Sequence, residues 1–217
     1  MIIHYKNSDL SVKVENVYCV GMNYAAHARE LGNEPPAEPV IFLKSNSCLV
    51  GSGGEFVMPE ADSVVHYEGE LVVMIKEDCG RLNKDIAEKM ILGYAVGIDY
   101  TLREVQNQAK KDGLPWTLSK SFYGSAPLSE FVLKDDAGAL SQKSIQTLVN
   151  GKVCQDSSMS RMIFSVPELI SFLSHRVPLK RGDIIFTGTP EGVGPVQPGD
   201  EVICRVDGVG EVLSQVL

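Results

Sequence analysis

Positive charge is scarce in this 217-residue chain. Its 20 lysines and arginines face 28 aspartates and glutamates, for a formal charge of −8. A nucleic-acid surface needs clustered cations, and the Lys110-Lys111 pair is too short to make one. The same balance does not advertise an anionic ligand, so an acid bound here has to be held by particular cations. Cysteine is thinly spread. Cys19, Cys48, Cys79, Cys154 and Cys204 are odd in number and contain no Cys-x-x-Cys pair, which removes support for a disulfide framework or a zinc–thiolate site. Reduced thiols fit the cytosol or an organelle matrix. No apolar run approaches the roughly 20 residues that span a bilayer. The N-terminus, Met1-Ile2-Ile3-His4-Tyr5-Lys6-Asn7, lacks the charged-then-apolar pattern of a secretory signal. A soluble protein without a membrane partner is expected. Internal repeats, low-complexity tracts and linkers are missing too. With 44% hydrophobic and 22% charged residues, the chain supports a single core, and one domain over residues 1–217 is expected.

What is present centres on Val64-Val65-His66-Tyr67-Glu68-Gly69-Glu70-Leu71-Val72-Val73-Met74-Ile75. The second half reads as a buried strand. In the first half His66, Glu68 and Glu70 recur at every second residue, which places them on one face of an extended chain. Two neighbouring carboxylates at the mouth of an apolar strand repel each other and resist desolvation. A hard divalent cation such as Mg²⁺, Mn²⁺ or Ca²⁺ compensates them; acids facing water on an edge strand are the alternative. A second carboxylate-ended strand is Gly93-Tyr94-Ala95-Val96-Gly97-Ile98, which stops at Asp99.

The remaining patterns are short. Strands are expected at 2–5, 17–20, 40–44, 145–149, 152–155, 184–186, 201–206 and 210–216. Asn150-Gly151 gives a strong type I′ hairpin signal. Four short helices are expected. The first runs over 24–31, capped by Asn23 and stopped by Gly32. The others cover 83–92, 101–111 with a capping-box spacing at Thr101 and Glu104, and 167–174. The first carries His27 and Glu30, neighbours on one helical face. A carboxylate beside an imidazole raises its basicity and suits a general base, although such pairs also occur as plain surface contacts. The loop 33–39 after this helix gives it the makings of a lid. The stretch 114–122 reads as irregular and holds Lys120 between serines. Thr187-Gly188-Thr189-Pro190-Glu191-Gly192-Val193-Gly194 lacks the lysine and the following helix of a phosphate-binding loop. Its amides and Thr189 are instead suited to a small carboxylate. Strands and helices do not alternate, so the fold class is a β-rich α+β domain rather than a doubly wound sheet.

Several stretches together resemble one family. They are Val20-Gly21-Met22-Asn23-Tyr24 with His27 and Glu30, His66-Tyr67-Glu68-Gly69-Glu70-Leu71, Gly97-Ile98-Asp99-Tyr100-Thr101, Trp116-Thr117-Leu118-Ser119-Lys120-Ser121-Phe122 and the 187–194 loop. In this order they resemble the fumarylacetoacetate hydrolase family, and the short length resembles its acylpyruvase and oxaloacetate decarboxylase branch. The resemblance implies a mixed β-roll or sandwich and a homodimer. It implies Mg²⁺ or Mn²⁺ on Glu68, Glu70 and Asp99, and a catalytic His27–Glu30 dyad with Lys120. It implies substrate contacts from Gln106, Gly188, Thr189 and Arg103. The activity implied is metal-dependent cleavage of acylpyruvate-type 2,4-dioxo acids to pyruvate and a carboxylic acid, with oxaloacetate decarboxylation beside it. Hydratase, decarboxylase or tautomerase chemistry on 2-oxo acids, and non-catalytic binding of a metal carboxylate, are the competing readings. His66 is expected behind the ligands, and Trp116 in packing. Two departures bear on substrate preference: Met22 stands where many members have arginine, and Ser45 follows Lys44 where proline is common.

Overall fold

The computed structural model describes residues 1–59 and 64–217. Its centre is the apolar run after Glu70. Gly69–Ile75 and Ile91–Ile98 pair antiparallel in the middle of an eight-stranded sheet. Ile184–Phe186, Val17–Gly21 and Val40–Lys44 extend that sheet on one side. Ala126–Leu128, Leu49–Gly51 and Val132–Leu133 complete it on the other. Because both parallel and antiparallel pairs occur, the sheet is mixed.

A five-stranded sheet packs on one face, in the order Lys152–Ser158, Ser144–Val149, Glu201–Val206, Gly210–Val216, Glu55–Phe56. Leu71, Val73 and Ile75 share a core with its Val202, Cys204 and Val212, and with Leu169 and Leu173 of helix Val166–Ser174. Val72, Met74 and Ala95 point the other way, into a second core with Tyr5, Phe131 and Phe186. A strand covered on both faces reads as an unbroken apolar run, as this one does. The β-rich α+β expectation therefore stands, with the two sheets packed as a sandwich.

Close packing of the two sheets requires glycine at 69. A Cβ there would meet the Thr147 hydroxyl and lie 2.6 Å from Cys204 Sγ. Gly69→Ala is expected to lower the unfolding free energy by about 1–3 kcal/mol through overpacking, read as a shifted denaturant midpoint. An unchanged midpoint would show that the sheets separate freely there.

Three local expectations change. The stretch from Val64 is not one strand. Val65–Tyr67 joins a small sheet with Thr101–Leu102 and Gly194–Pro195, and the chain breaks at Glu68 before Gly69–Ile75 begins. The first helix is Ala25–Glu30 with Tyr24 at its N-cap. Asn23 does not cap it, because its buried amide is spent elsewhere: Nδ2 donates to the carbonyls of Thr187 and Phe164, and Oδ1 accepts from the Phe164 amide. The third helix is Arg103–Asp112, without a capping box, since Thr101 lies in a strand. Two further short helices, Thr117–Lys120 and Lys134–Ala137, fall in stretches read as irregular or left unread. The helix after Ser165 and the hairpin at Asn150-Gly151 are found as expected, the helix with a cap that was not anticipated. Ser165 and Glu168 form a capping box, and Asn150 and Gly151 adopt the left-handed pair of a type I′ turn at φ 51° and 77°. No helix among the described residues is long and apolar enough to cross a membrane.

Candidate active site

The antiparallel register sets the acid cluster. Gly69 pairs with Ile98, and the Asp99 amide donates to the Glu68 carbonyl at 2.8 Å. Asp99 therefore stands opposite Glu68, and Glu70 follows two residues later on the same face. Oxygens of the three carboxylates lie within 4.8 Å of one another, and all three residues are buried.

Cations answer two of these acids. Lys120 Nζ donates to Glu68 at 2.8 Å, to Asp99 at 2.6 Å and to the Thr101 hydroxyl at 2.6 Å. Lys44 Nζ donates to the other Asp99 oxygen at 2.7 Å and to the Lys120 carbonyl. Arg103 pairs with Glu68 through Nη2 and donates from Nη1 to Gln106 at 2.7 Å. Glu70 accepts only the Gly188 amide, at 2.7 Å, among the described residues.

The protonation pattern follows. Burial works against the Glu68 carboxylate, but Lys120, Arg103 and His27 outweigh it and hold its pKa well below the usual range. Burial, then Asp99 and Glu68, push Glu70 well above the range. Burial works against the Lys120 ammonium, yet Asp99 and Glu68 push its pKa up to about 12. Glu70 is thus a buried carboxylate with no cation against it, in a cluster of hard oxygen donors. Three convergent carboxylates of this kind fit Mg²⁺ or Mn²⁺.

His27 is buried beside this cluster. Its Nδ1 lies 3.1 Å from Glu30 Oε2, and Glu30 Oε1 accepts the Gly192 amide at 2.9 Å. With Nδ1–H given to the carboxylate, Nε2 is the free base. His27, Glu68, Glu70, Arg103, Gln106 and Lys120 line one cavity of about 20 Å³, space for a single water or ion. Met22 also lines it, in left-handed backbone at φ 58°, a conformation that costs energy for a long side chain. Trp116 forms another wall, its ring 5.4 Å from that of Phe42.

The other anticipated residues divide. The Gly188 amide is committed to Glu70, and its φ of 98° with Asn23 packed against it requires glycine. The Thr189 hydroxyl donates to the Gly69 carbonyl and accepts from Gln155, while its residue still borders the cavity. Gln106 gives its oxygen to Arg103, which leaves Nε2 as a donor at the cavity wall. His66 sits outside the acid cluster. Burial and then Arg103 push its pKa down to about 4, so it is neutral and accepts from Arg103 Nε at 3.4 Å. Lys44 and Gln155 were not anticipated, because their partners lie 34 or more residues away, and Asn23 and Thr101 were read as helix caps rather than as supports of the site.

A family model, fumarylacetoacetate hydrolase C-terminal, matches residues 16–217. The chain belongs to the fumarylacetoacetate hydrolase family. The mitochondrial oxaloacetate tautomerase of Bos taurus is 42% identical over 195 residues, 90% of this chain and 88% of its own length. The fumarylpyruvate hydrolase of Pseudomonas aeruginosa, solved with Mn²⁺ and pyruvate, superposes with a TM-score of 0.95 at 38% identity, covering 100% of this chain and 95% of that one. The 5-carboxymethyl-2-hydroxymuconate delta-isomerase of Mycobacterium smegmatis is also similar, with a TM-score of 0.83 at 38% identity, covering 94% of this chain and 79% of that one. This fumarylacetoacetate hydrolase family member therefore stands among hydrolases, isomerases and tautomerases.

Proposed function

We propose that the chain is a divalent-metal-dependent hydrolase that cleaves the C–C bond of acylpyruvate-type 2,4-dioxo acids to pyruvate and a carboxylic acid, with oxaloacetate decarboxylation as a second reaction. One observation carries this reading: Glu68 and the uncompensated Glu70 of a buried triacid cluster line one cavity with a carboxylate-tethered histidine. Ligand binding alone has no use for such a base. The Mn²⁺ and pyruvate of the similar Pseudomonas enzyme support the same substrate class.

Glu68, Glu70 and Asp99 would hold the ion, which supplies Lewis-acid polarisation of a 2-oxo group when bound. Lys44, Lys120 and Arg103 pair with Glu68 and Asp99, and with Glu70 ionised to take the ion these three cations would equal the three acids in charge. Added divalent charge then leaves two positive units. A monoanionic oxo acid half-neutralises them, and the dianion that develops as the C–C bond breaks neutralises them fully, so the site matches the later charge better than the earlier one. His27 takes a proton from water, which attacks the distal acyl carbonyl. The Gln106 amide donates to the developing oxyanion, and Lys120, its three N–H bonds already given to Glu68, Asp99 and Thr101, adds its positive charge. The carbon released as the pyruvate enolate then takes up a proton.

The oxaloacetate tautomerase relatives favour a second reading, in which His27 moves a proton on oxaloacetate without C–C cleavage. We take the working unit to be a homodimer, a reading supported by exposed Leu43 and Leu114 in one groove beside the edge strand Val40–Lys44. A product-resolved assay decides the chemistry. Acetylpyruvate absorbance is expected to fall with release of pyruvate. EDTA is expected to stop it, and Mn²⁺ or Mg²⁺ to restore it. Undiminished turnover in EDTA, or enol–keto conversion without pyruvate, would overturn the hydrolase reading.

A further inference from the structure

Helix Arg103–Asp112 turns Arg103, Gln106 and Lys110 to one side, and all three line the cavity. They are not equally engaged. Arg103 is matched to Glu68, and Gln106 to Arg103. Lys110 is half-buried, and among the described residues its ammonium meets no carboxylate. It rests 4.9 Å from the ring centroid of Trp116. Burial, then repulsion from Arg103, lowers its pKa below the ordinary lysine value. A partly desolvated cation beside another cation is costly, and an incoming anion removes the cost.

Position says which anion. Arg103 marks the acid-cluster end of the helix, and Lys110 lies about two turns, ~10 Å, further along it. An oxo acid with its reacting end at the acids and its chain along this face would bring its far end to Lys110. We propose that Lys110 is the specificity-determining contact for a terminal carboxylate, so that the site prefers 2-oxo acids ending in a second carboxylate over those ending in methyl. The inference rests on the function proposed above and narrows its substrate class.

The test uses one kinetic and one binding measurement on wild type, Lys110→Met and Lys110→Arg. The ratio of kcat/KM for fumarylpyruvate over acetylpyruvate is expected to fall about 10–100-fold in Lys110→Met, the size of one charge-assisted contact, and to recover in Lys110→Arg. Binding is read without turnover from the single tryptophan, Trp116, which Lys110 overlies. In Mg²⁺ buffer, wild type is expected to bind 2-oxoglutarate more tightly than 2-oxovalerate, and Lys110→Met to bind them alike. If neither dioxo acid turns over, the proposed reaction fails, while the fluorescence preference still judges Lys110. A wild type without that preference, or a Lys110→Met variant that keeps it, overturns the assignment.

Discussion

Glu70→Gln is expected to abolish metal-dependent turnover, by about 10³-fold or more, without weakening the metal-free protein. Ligand-shell losses of 10–100-fold are usual even for groups that touch a metal only indirectly. With Glu70 as one of the three direct donors proposed above, a larger loss is expected. Stability should behave differently. Glu70 has no cation partner, and burial beside Asp99 and Glu68 already favours its neutral form. The glutamine oxygen can still accept the Gly188 amide. Urea denaturation in EDTA should therefore move by less than about 1 kcal/mol, the value of one ordinary hydrogen bond. Glu68→Gln makes the contrast. It leaves buried Arg103 without a counterion and Lys120 with Asp99 alone, so about 3–5 kcal/mol should be lost. Both variants lose activity, but only the second loses stability. Equal destabilisation would mean that Glu70 has a structural partner and is not the donor reserved for an ion.

His27→Ala should separate two chemistries. Hydrolysis of an acylpyruvate needs an activated water, and removal of the base is expected to cost about 10²–10⁴ in kcat. Oxaloacetate decarboxylation needs the electron-withdrawing site but no attacking water, so its kcat should fall by less than about tenfold. Pyruvate and CO₂ measured separately give the two rates. Glu30→Gln should follow His27→Ala in direction, because the carboxylate fixes which imidazole nitrogen is free. Equal losses in both reactions would remove the water-activation role and favour His27 as a proton shuttle on carbon.

The residues legible in sequence are those whose chemistry is written within a few positions. Glu68 and Glu70 stand two apart before an apolar run, and His27 and Glu30 three apart on a helix. Asp99 ends a buried strand, but that it faces Glu68 is a fact of sheet register. Lys44 closes a strand that read as ordinary. Its task depends on Asp99, 55 residues away. Asn23 looked like a helix cap because asparagine before a helix usually is one. Tertiary contacts to Phe164 and Thr187 outbid that local role. Thr101 had the spacing of a capping box, yet pairing with His66 and the bond from Lys120 drew it into a strand. Helix Thr117–Lys120 is a single turn, too short for any periodicity. The apolar pattern therefore gave the β-rich α+β class and the family resemblance the sandwich, while the place of Lys44 beside the acids became visible only when distant strands met.

Glu30 joins segments 162 residues apart, with one oxygen on the His27 ring and the other on the Gly192 backbone. If a ligand larger than a water parted these two segments, the carboxylate would lose one of its anchors. The imidazole orientation and the closure of the two segments are therefore tied to a single side chain.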